Sequence, residues 1–72
     1  MAKEYLVVLF VRNRRVMIND QFMGTTNTKL ELERGSYEVT LGPPNNFAPA
    51  RQHVDLRHTS SQKPMIVEFS ET

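Results

Sequence analysis

The sequence predicts an all-β protein, a small antiparallel β-sandwich of about seven short strands joined by hairpins. Apolar residues alternate with polar residues or run continuously, and no segment repeats its apolar positions with the spacing of a helix. Valine, isoleucine, threonine and aromatic residues, which favour strands, dominate the patterned segments. Turn-forming residues separate these segments at short intervals. We therefore predict a single sandwich domain that spans residues 1–72.

Chain length and charge limit the classes of function. Because the chain has only 72 residues, its core is thin. The chain has no cysteine, so no disulfide reinforces this core. Nine Lys and Arg residues against eight Asp and Glu residues give a net charge of +1, which favours neither a dedicated nucleic-acid-binding protein nor an acidic tail. Because a core this small gains much from association, we expect the domain to bind a partner or a second copy of itself.

A first strand is predicted over residues 4–11, and it is apolar on both faces. One row contains Tyr5, Val7, Leu9 and Val11, and the other contains Leu6, Val8 and Phe10. Strands of this kind are usually covered on both sides. The apolar run is shorter than the roughly 20 residues that span a bilayer, and no small-residue cleavage site follows it, so we expect no membrane insertion. If Met1 is the native start, we expect a cytoplasmic protein; for a fragment, no location follows.

The middle of the chain predicts two hairpins. Residues 14–18 turn at Asn19-Asp20 and return through residues 21–23, because Asn and Asp tolerate the positive φ of a tight turn. This turn sets Met17 opposite Phe22 and Val16 opposite Met23. Residues 29–33 and 36–41 form the second predicted hairpin, closed at Arg34-Gly35 with Gly35 in the left-handed region. Its inward residues are Leu30, Leu32, Tyr37, Val39 and Leu41.

The last third of the chain predicts a loop and two strands. Residues 42–50 contain prolines that cannot donate to a strand ladder, so we predict a loop in which Phe47 is the only bulky residue. Residues 51–56 and 64–70 alternate again, on either side of a polar turn region at 58–63. The predicted inward residues of these two strands are Val54, Leu56, Met65, Val67 and Phe69.

The segments "VMINDQFMGTT" and "LELERGSYEVTL" together resemble the PEGA-domain pattern. That pattern is a hairpin with a small turn and a following glycine, then an alternating strand, a glycine and Tyr-x-Val-x-Leu. The resemblance extends from about Val16 to Phe69, and "FAPARQHVDL" stands where the family has its next strand. It implies a non-catalytic module, of a kind commonly attached to surface or envelope proteins, and it transfers no catalytic residue to this chain.

One group of side chains has the composition of a metal site. His53 and Asp55 lie two residues apart on a predicted strand and so share a face, whereas His58 lies past the end of that strand. A zinc site requires three or four ligands that a second set of residues holds in place. We therefore interpret these side chains as solvated, and we predict no metal and no cofactor.

The carboxylates do not form the arrangement that acid–base catalysis requires. Glu31, Glu33 and Glu38 occupy predicted outward positions, near Lys29 and Arg34, instead of facing a cleft. There is no cysteine nucleophile, no serine with a plausible His and Asp, and no glycine-rich loop that opens onto a helix. We predict that the protein is not an enzyme.

Arg12, Arg14 and Arg15 form the sharpest charged feature of the sequence. Such a cluster can hold phosphate or carboxylate groups bidentately, or it can be a solvated turn. The first reading leads to an alternative function, an OB-like nucleic-acid-binding module in which the arginines grip a phosphate backbone. The small number of aromatic residues, 8% of the chain, and the near-zero net charge make this the second choice. A weaker alternative is a carbohydrate-binding β-sandwich, which the absence of tryptophan disfavours.

The first strand and the first hairpin carry more apolar residues than one buried face requires. Each of these elements has a second apolar row that the core does not need. In one interpretation the loop at residues 42–50 folds over these second rows with Phe47; in the other, a protein partner or a second copy covers them. We predict a non-enzymatic interaction module that acts through a protein partner or through self-association. The candidate partner-binding residues are Met17, Phe22 and Phe47, with Arg12, Arg14 and Arg15 supplying charge selection at the rim.

Overall fold

The computed structural model describes residues 3–72, which form nine strands and contain no helix. The strands are β1 (Lys3–Leu9), β2 (Arg15–Ile18), β3 (Gln21–Thr25), β4 (Lys29–Glu33), β5 (Gly35–Leu41), β6 (Phe47–Ala48), β7 (Gln52–Leu56), β8 (Met65–Glu68) and β9 (Ser70–Glu71). The predicted all-β class is confirmed, and residues 1 and 2 of the predicted domain lie outside the described residues. Within residues 3–72, no helix is long and apolar enough to cross a membrane.

Two sheets enclose the core. The first has the strand order β4-β1-β8, the second has the order β3-β2-β5-β7, and β6 pairs with β9 in a separate short ribbon. Leu6 and Val8 of the first sheet and Val16 and Val39 of the second are fully buried, so the hydrophobic core lies between the sheets. The inward residues predicted for the strands at 29–33, 36–41, 51–56 and 64–70 are confirmed as buried, except that Tyr37 and Met65 are only partly buried, and the molecule is the expected sandwich.

One strand pair departs from the antiparallel prediction. β1 and β8 run parallel, with a register from Leu6 opposite Met65 to Leu9 opposite Glu68. The chain reaches β8 after it leaves β7 in the other sheet, so the turn at residues 57–64 is a crossing between sheets and not a hairpin. Without a hairpin to reverse it, β8 can enter the first sheet in the direction of β1.

The predicted hairpin at Arg34-Gly35 is wrong. β4 pairs with β1 from Lys3 opposite Glu33 to Val7 opposite Lys29, whereas β5 pairs with β2 and β7 in the other sheet. The chain therefore changes sheets at Arg34, and Gly35 is not among the described residues with positive φ. Alternation predicts the same buried residues for either arrangement, because it reports which face is buried and not which strand lies alongside.

The first hairpin is confirmed, with one change of register. Asn19 and Asp20 have φ values of 50° and 65°, and Met17 lies opposite Phe22 as predicted. Val16, however, lies opposite Gly24 and not Met23, because a β-bulge makes Met23 an extra residue in β3. The bulge brings a position without a side chain to the core, where a Cβ on Gly24 would overlap with Leu30 Cδ2.

The loop at residues 42–50 covers the end of the core. Its strand β6 pairs with β9, and the Phe47 ring lies edge-on to Phe10 and Phe69 with centroid distances of 6.5 Å and 5.7 Å. Phe10 belongs to the inner row of the first strand. The loop thus closes one end of the sandwich, with Phe47 packed on the core.

Candidate functional site

An exposed row of side chains crosses the outer face of the second sheet. Val16 and Ile18 are buried, so Met17 between them faces outward, and Phe22 of β3 and Thr40 of β5 are its neighbours on the two adjacent strands. Phe22, one of the four phenylalanines in the chain, is 60% exposed. We refer to Phe22, Met17 and Thr40 as the outer row.

The outer row leads into a shallow cleft. The cleft has a volume of about 290 Å³ and is lined by Thr40, Asn45, Phe47, Ala50 and Arg51. Thr40 Oγ1 donates a hydrogen bond of 2.7 Å to the Ala50 carbonyl oxygen, which fixes the loop along one wall. Phe47 therefore has two roles, because one part of its ring packs on the core and another part borders this cleft.

Charged side chains lie at the rim of the cleft. Arg51 Nη1 is 3.6 Å from Asp20 Oδ1 and 3.4 Å from Glu38 Oε2, and all three side chains are more than half exposed. Exposed ion pairs at such distances contribute little to stability and exchange readily. The rim can therefore offer both a guanidinium and two carboxylates to a bound molecule.

The structure separates the three arginines of the predicted site. Arg15 lies beside Gly42 on the same face of β2 as Met17. Arg14 donates to the carbonyl oxygens of Gly42 and Pro44 at 3.3 Å and 2.9 Å, and its guanidinium lies 5.3 Å from the centre of the Phe10 ring. Of the six predicted site residues, Arg15, Met17 and Phe22 share one face, and Phe47 borders the adjacent cleft.

Arg12 forms an ion pair away from that face. Its Nε donates to Glu71 Oε2 at 2.7 Å, which ties the segment after β1 to strand β9. The hydrogen bond from Arg12 holds the pKa of the Glu71 carboxyl below its ordinary value. Arg12 thus has a partner within the fold, which the sequence pattern did not indicate.

Two residues between β3 and β4, Thr26 and Asn27, hold the segment from Arg12 to Arg15, which we call the basic segment, and the end of β1. Thr26 is fully buried; its Oγ1 donates to the Arg12 carbonyl at 2.7 Å and accepts from the Arg14 amide at 2.9 Å. The backbone N–H of Asn27 donates a hydrogen bond of 2.7 Å to the Val8 carbonyl oxygen. The only sequence signal was the Thr-Thr-Asn-Thr composition, since Asn27 tolerates its φ of 63°.

A buried carboxylate holds the loop between β7 and β8. Glu4 is 3% exposed, and its Oε1 accepts hydrogen bonds from Thr59 N at 2.9 Å and from Thr59 Oγ1 at 2.6 Å. Arg34 Nε lies 3.4 Å from the second oxygen, Oε2. The hydrogen bonds from Thr59, followed by the contact with Arg34, lower the pKa of Glu4 from the ordinary value of 4.5.

Replacing Glu4 by glutamine should flatten the acid dependence of stability. Because folding lowers the pKa of Glu4, its contribution is fully present above 4.5 and is lost as the pH falls through the folded-state value. We expect the urea midpoint of Glu4→Gln to be lower than that of the wild type near neutral pH. The difference should narrow as the pH falls below 4.5.

Glu33→Gln is the matched control for this prediction. Glu33 is half exposed, and its Oε2 lies 3.7 Å from Lys3 Nζ, so this variant should follow the wild-type midpoint at every pH. Equal acid dependence in Glu4→Gln and in the wild type would show that Glu4 has no part in it.

None of the three side chains considered as metal ligands lines the cleft, although His53 lies opposite Glu38 of its rim. His53 and Asp55 are exposed on β7, and Asp55 Oδ1 accepts a 2.8 Å hydrogen bond from Arg57. His58 follows the strand, with a φ of 60°. Within residues 3–72, no group of three or more His, Cys, Asp or Glu side chains has a geometry that could hold a metal ion.

Comparison with known proteins gives one match. A family model described as the PEGA domain matches residues 10–68, a span that includes all strands from β2 to β8 and leaves out β1 and β9. Neither the comparison with curated proteins nor the comparison with solved structures finds a match. The predicted resemblance over residues 16–69 is confirmed, and the PEGA domain is a small domain that is not known as catalytic. This protein belongs to the PEGA domain family.

Proposed function

We propose that this PEGA domain is a non-enzymatic module that binds a protein partner through the outer face of its second sheet. The observation that carries the proposal is the exposure of Phe22, 60% of whose surface is open to solvent beside the half-buried Met17. When such an aromatic side chain is buried on association, the free energy of binding gains roughly 25 cal/mol for each Å² of apolar surface removed from water. The outer row is therefore the natural centre of an interface.

The residue types around the outer row support a protein partner. Aromatic residues, methionine and arginine are enriched where proteins meet, and the face carries Phe22, Met17 and Arg15. Methionine adapts its shape to an irregular partner surface. The exposed charges of Arg51, Asp20 and Glu38 lie beside this apolar centre, which matches the usual pattern of an apolar core with a polar rim.

The outer face of the first sheet is less suited to this role. Its apolar row of Tyr5, Val7 and Leu9 is half-buried, and long charged side chains extend over it. Lys29 Nζ lies 5.7 Å from the centre of the Tyr5 ring, and the Tyr5 hydroxyl lies 3.4 Å from Glu31 Oε2. Lys29 and Glu31 therefore reduce the free apolar surface around Tyr5, whereas Ile66, opposite Val7 on the same face, stays exposed.

The contacts of the arginines favour a protein partner over nucleic acid. A phosphate-binding module needs several free guanidinium groups along one groove, with aromatic platforms for the bases. Arg12 pairs with Glu71, and Arg14 donates to two backbone carbonyls, so neither is free without loss of an internal contact. Arg15 alone of the three lies beside the outer row.

Site-specific photo-cross-linking in the source organism tests the proposed surface. A benzophenone amino acid in place of Phe22 keeps an aromatic ring at the site, and the same amino acid at Ile66 is the matched control. Ile66 is also exposed, at 55%, but it lies on the opposite sheet. We expect discrete protein adducts from position 22 and at least about tenfold weaker adducts from position 66, as for a site outside an interface.

Two results would contradict the proposal. The first is the absence of any protein adduct from position 22 when the domain is folded. The second is an equal yield of the same adducts from positions 22 and 66, since contact at random would produce that pattern.

A further inference from the structure

The four edge strands of the two main sheets differ in charge. The edges are β4 and β8 in the first sheet and β3 and β7 in the second. Charged residues occur on β4 (Lys29, Glu31 and Glu33), on β7 (Asp55) and on β8 (Glu68). β3 has the sequence Gln-Phe-Met-Gly-Thr, with no charge and no proline. It therefore lacks the side chains with which proteins usually keep an edge strand from pairing with another chain.

The same strand carries an unusual share of exposed apolar surface. Of the four large hydrophobic residues that are exposed in residues 3–72, Phe22 and Met23 both lie on β3, at 60% and 42% exposure. Met23 is the extra residue of the bulge, so it has no partner residue on β2. An uncharged backbone edge and two exposed apolar side chains thus coincide in five residues.

We infer that β3 is the site where a second copy of this chain pairs, antiparallel and edge to edge, across a twofold axis. The pairing would join the two four-stranded sheets into one continuous sheet. This inference rests on the proposed function, because Phe22 of the outer row belongs to β3; edge-to-edge pairing itself would leave Met17 and Thr40 uncovered. We take a second copy as the partner because two β3 strands can meet without charge repulsion. Two copies of β4, β7 or β8 would instead bring charged side chains beside each other.

The size of the edge determines the strength of the contact. β3 has five residues, and the bulge at Met23 interrupts its regular geometry. Such a contact buries less than the roughly 1,200 Å² of a standard protein interface, so the dimer should be reversible and concentration-dependent. The exposed rings of Phe22 from both copies would add apolar contact beside the paired backbones.

Sedimentation equilibrium of the purified chain and two variants tests the inference. The wild type should rise from the monomer mass of 8.3 kDa towards twice that value as its concentration increases. Met23→Lys puts a charge on the edge at a residue that is already 42% exposed. This variant should stay at the monomer mass over the same range. Ile66→Lys, an equal change on the opposite sheet, should associate as the wild type does.

Amide hydrogen exchange shows whether the edge itself is paired. In the associated wild type, backbone amides within residues 21–25 should gain protection as the concentration rises, whereas those of residues 29–33 should not. A wild type that stays monomeric up to about millimolar concentration would overturn the inference, and so would a dimer that survives Met23→Lys. If a monomeric chain still forms adducts with a different protein from position 22, self-pairing is refuted and the proposed function stands. If those adducts are also absent, both are refuted.

Discussion

Replacing Leu6 by alanine should lower the free energy of unfolding by about 2–5 kcal/mol, whereas Leu9→Ala should lower it by roughly 1 kcal/mol. The two leucines lie on the same strand, but Leu6 is fully buried between the sheets and Leu9 is only half-buried on the outer face of the first sheet. Truncating Leu6 removes apolar contacts and leaves a cavity that the sheets cannot fill.

Urea unfolding of both variants measures this difference. A domain of this length has a total stability of about 0.05–0.15 kcal/mol per residue, so Leu6→Ala should be partly unfolded in water at the lower end of that range. Leu9→Ala should stay folded, which makes it the control for substitution on this strand. Equal losses for the two variants would mean that β1 is buried equally on both faces.

Thr26→Val should lower the free energy of unfolding by about 2–4 kcal/mol, although the two side chains have nearly the same shape. The valine cannot accept from the Arg14 amide or donate to the Arg12 carbonyl, so it leaves two partly buried backbone groups without a partner. Each group of this kind costs about 1–3 kcal/mol when it is deprived of water and of a hydrogen bond.

Thr26→Ser separates the hydroxyl from the methyl group. Serine keeps both hydrogen bonds and loses one buried methyl, so its loss should be only about 1 kcal/mol. Thermal or urea unfolding of the two variants gives the comparison directly. If Thr26→Ser is as unstable as Thr26→Val, the hydroxyl of Thr26 does not brace the basic segment.

The faces of the strands could be read from the sequence because alternation is a local property. Leu30 and Leu32 are buried while Lys29, Glu31 and Glu33 are exposed, as the pattern predicts for a strand with one face on a core. The turn at Asn19-Asp20 was equally accessible, since both residues tolerate the positive φ that they adopt. The pairing of Met17 with Phe22, and with it two of the three residues of the outer row, followed from this turn.

The pairing of the strands could not be read in the same way. Arg34-Gly35 separates β4 from β5 by so short a link that a hairpin was the natural expectation, yet β4 pairs with β1, which lies 22 to 30 residues earlier in the sequence. The bulge at Met23 could not be read from the sequence either, and it sets Gly24 against Leu30 of the other sheet. Both features are set by contacts between distant residues, which no local pattern records.

The same limit applied to the candidate site. Arg12 and Arg14 read as a charge cluster because they are close in sequence, but their partners, Glu71 and Pro44, lie 59 and 30 residues away. The buried Glu4 was hidden for the same reason, since Thr59 is 55 residues distant. Side-chain type therefore located Phe22, one of the four large hydrophobic residues that are exposed in residues 3–72, and only the fold showed which charges are already paired.

The exposed face at Phe22 exists only if β5 pairs with β2 and not with β4, and NMR distance measurements test this most directly. Cross-strand proton contacts should join residues 3–7 with 29–33 in antiparallel register, and residues 6–9 with 65–68 in parallel register. Met17 should be close to Phe22 on one side and to Thr40 on the other. Contacts that instead join residues 29–33 to 35–41 as a ladder would move β5 away from β2, remove the outer row and contradict the account.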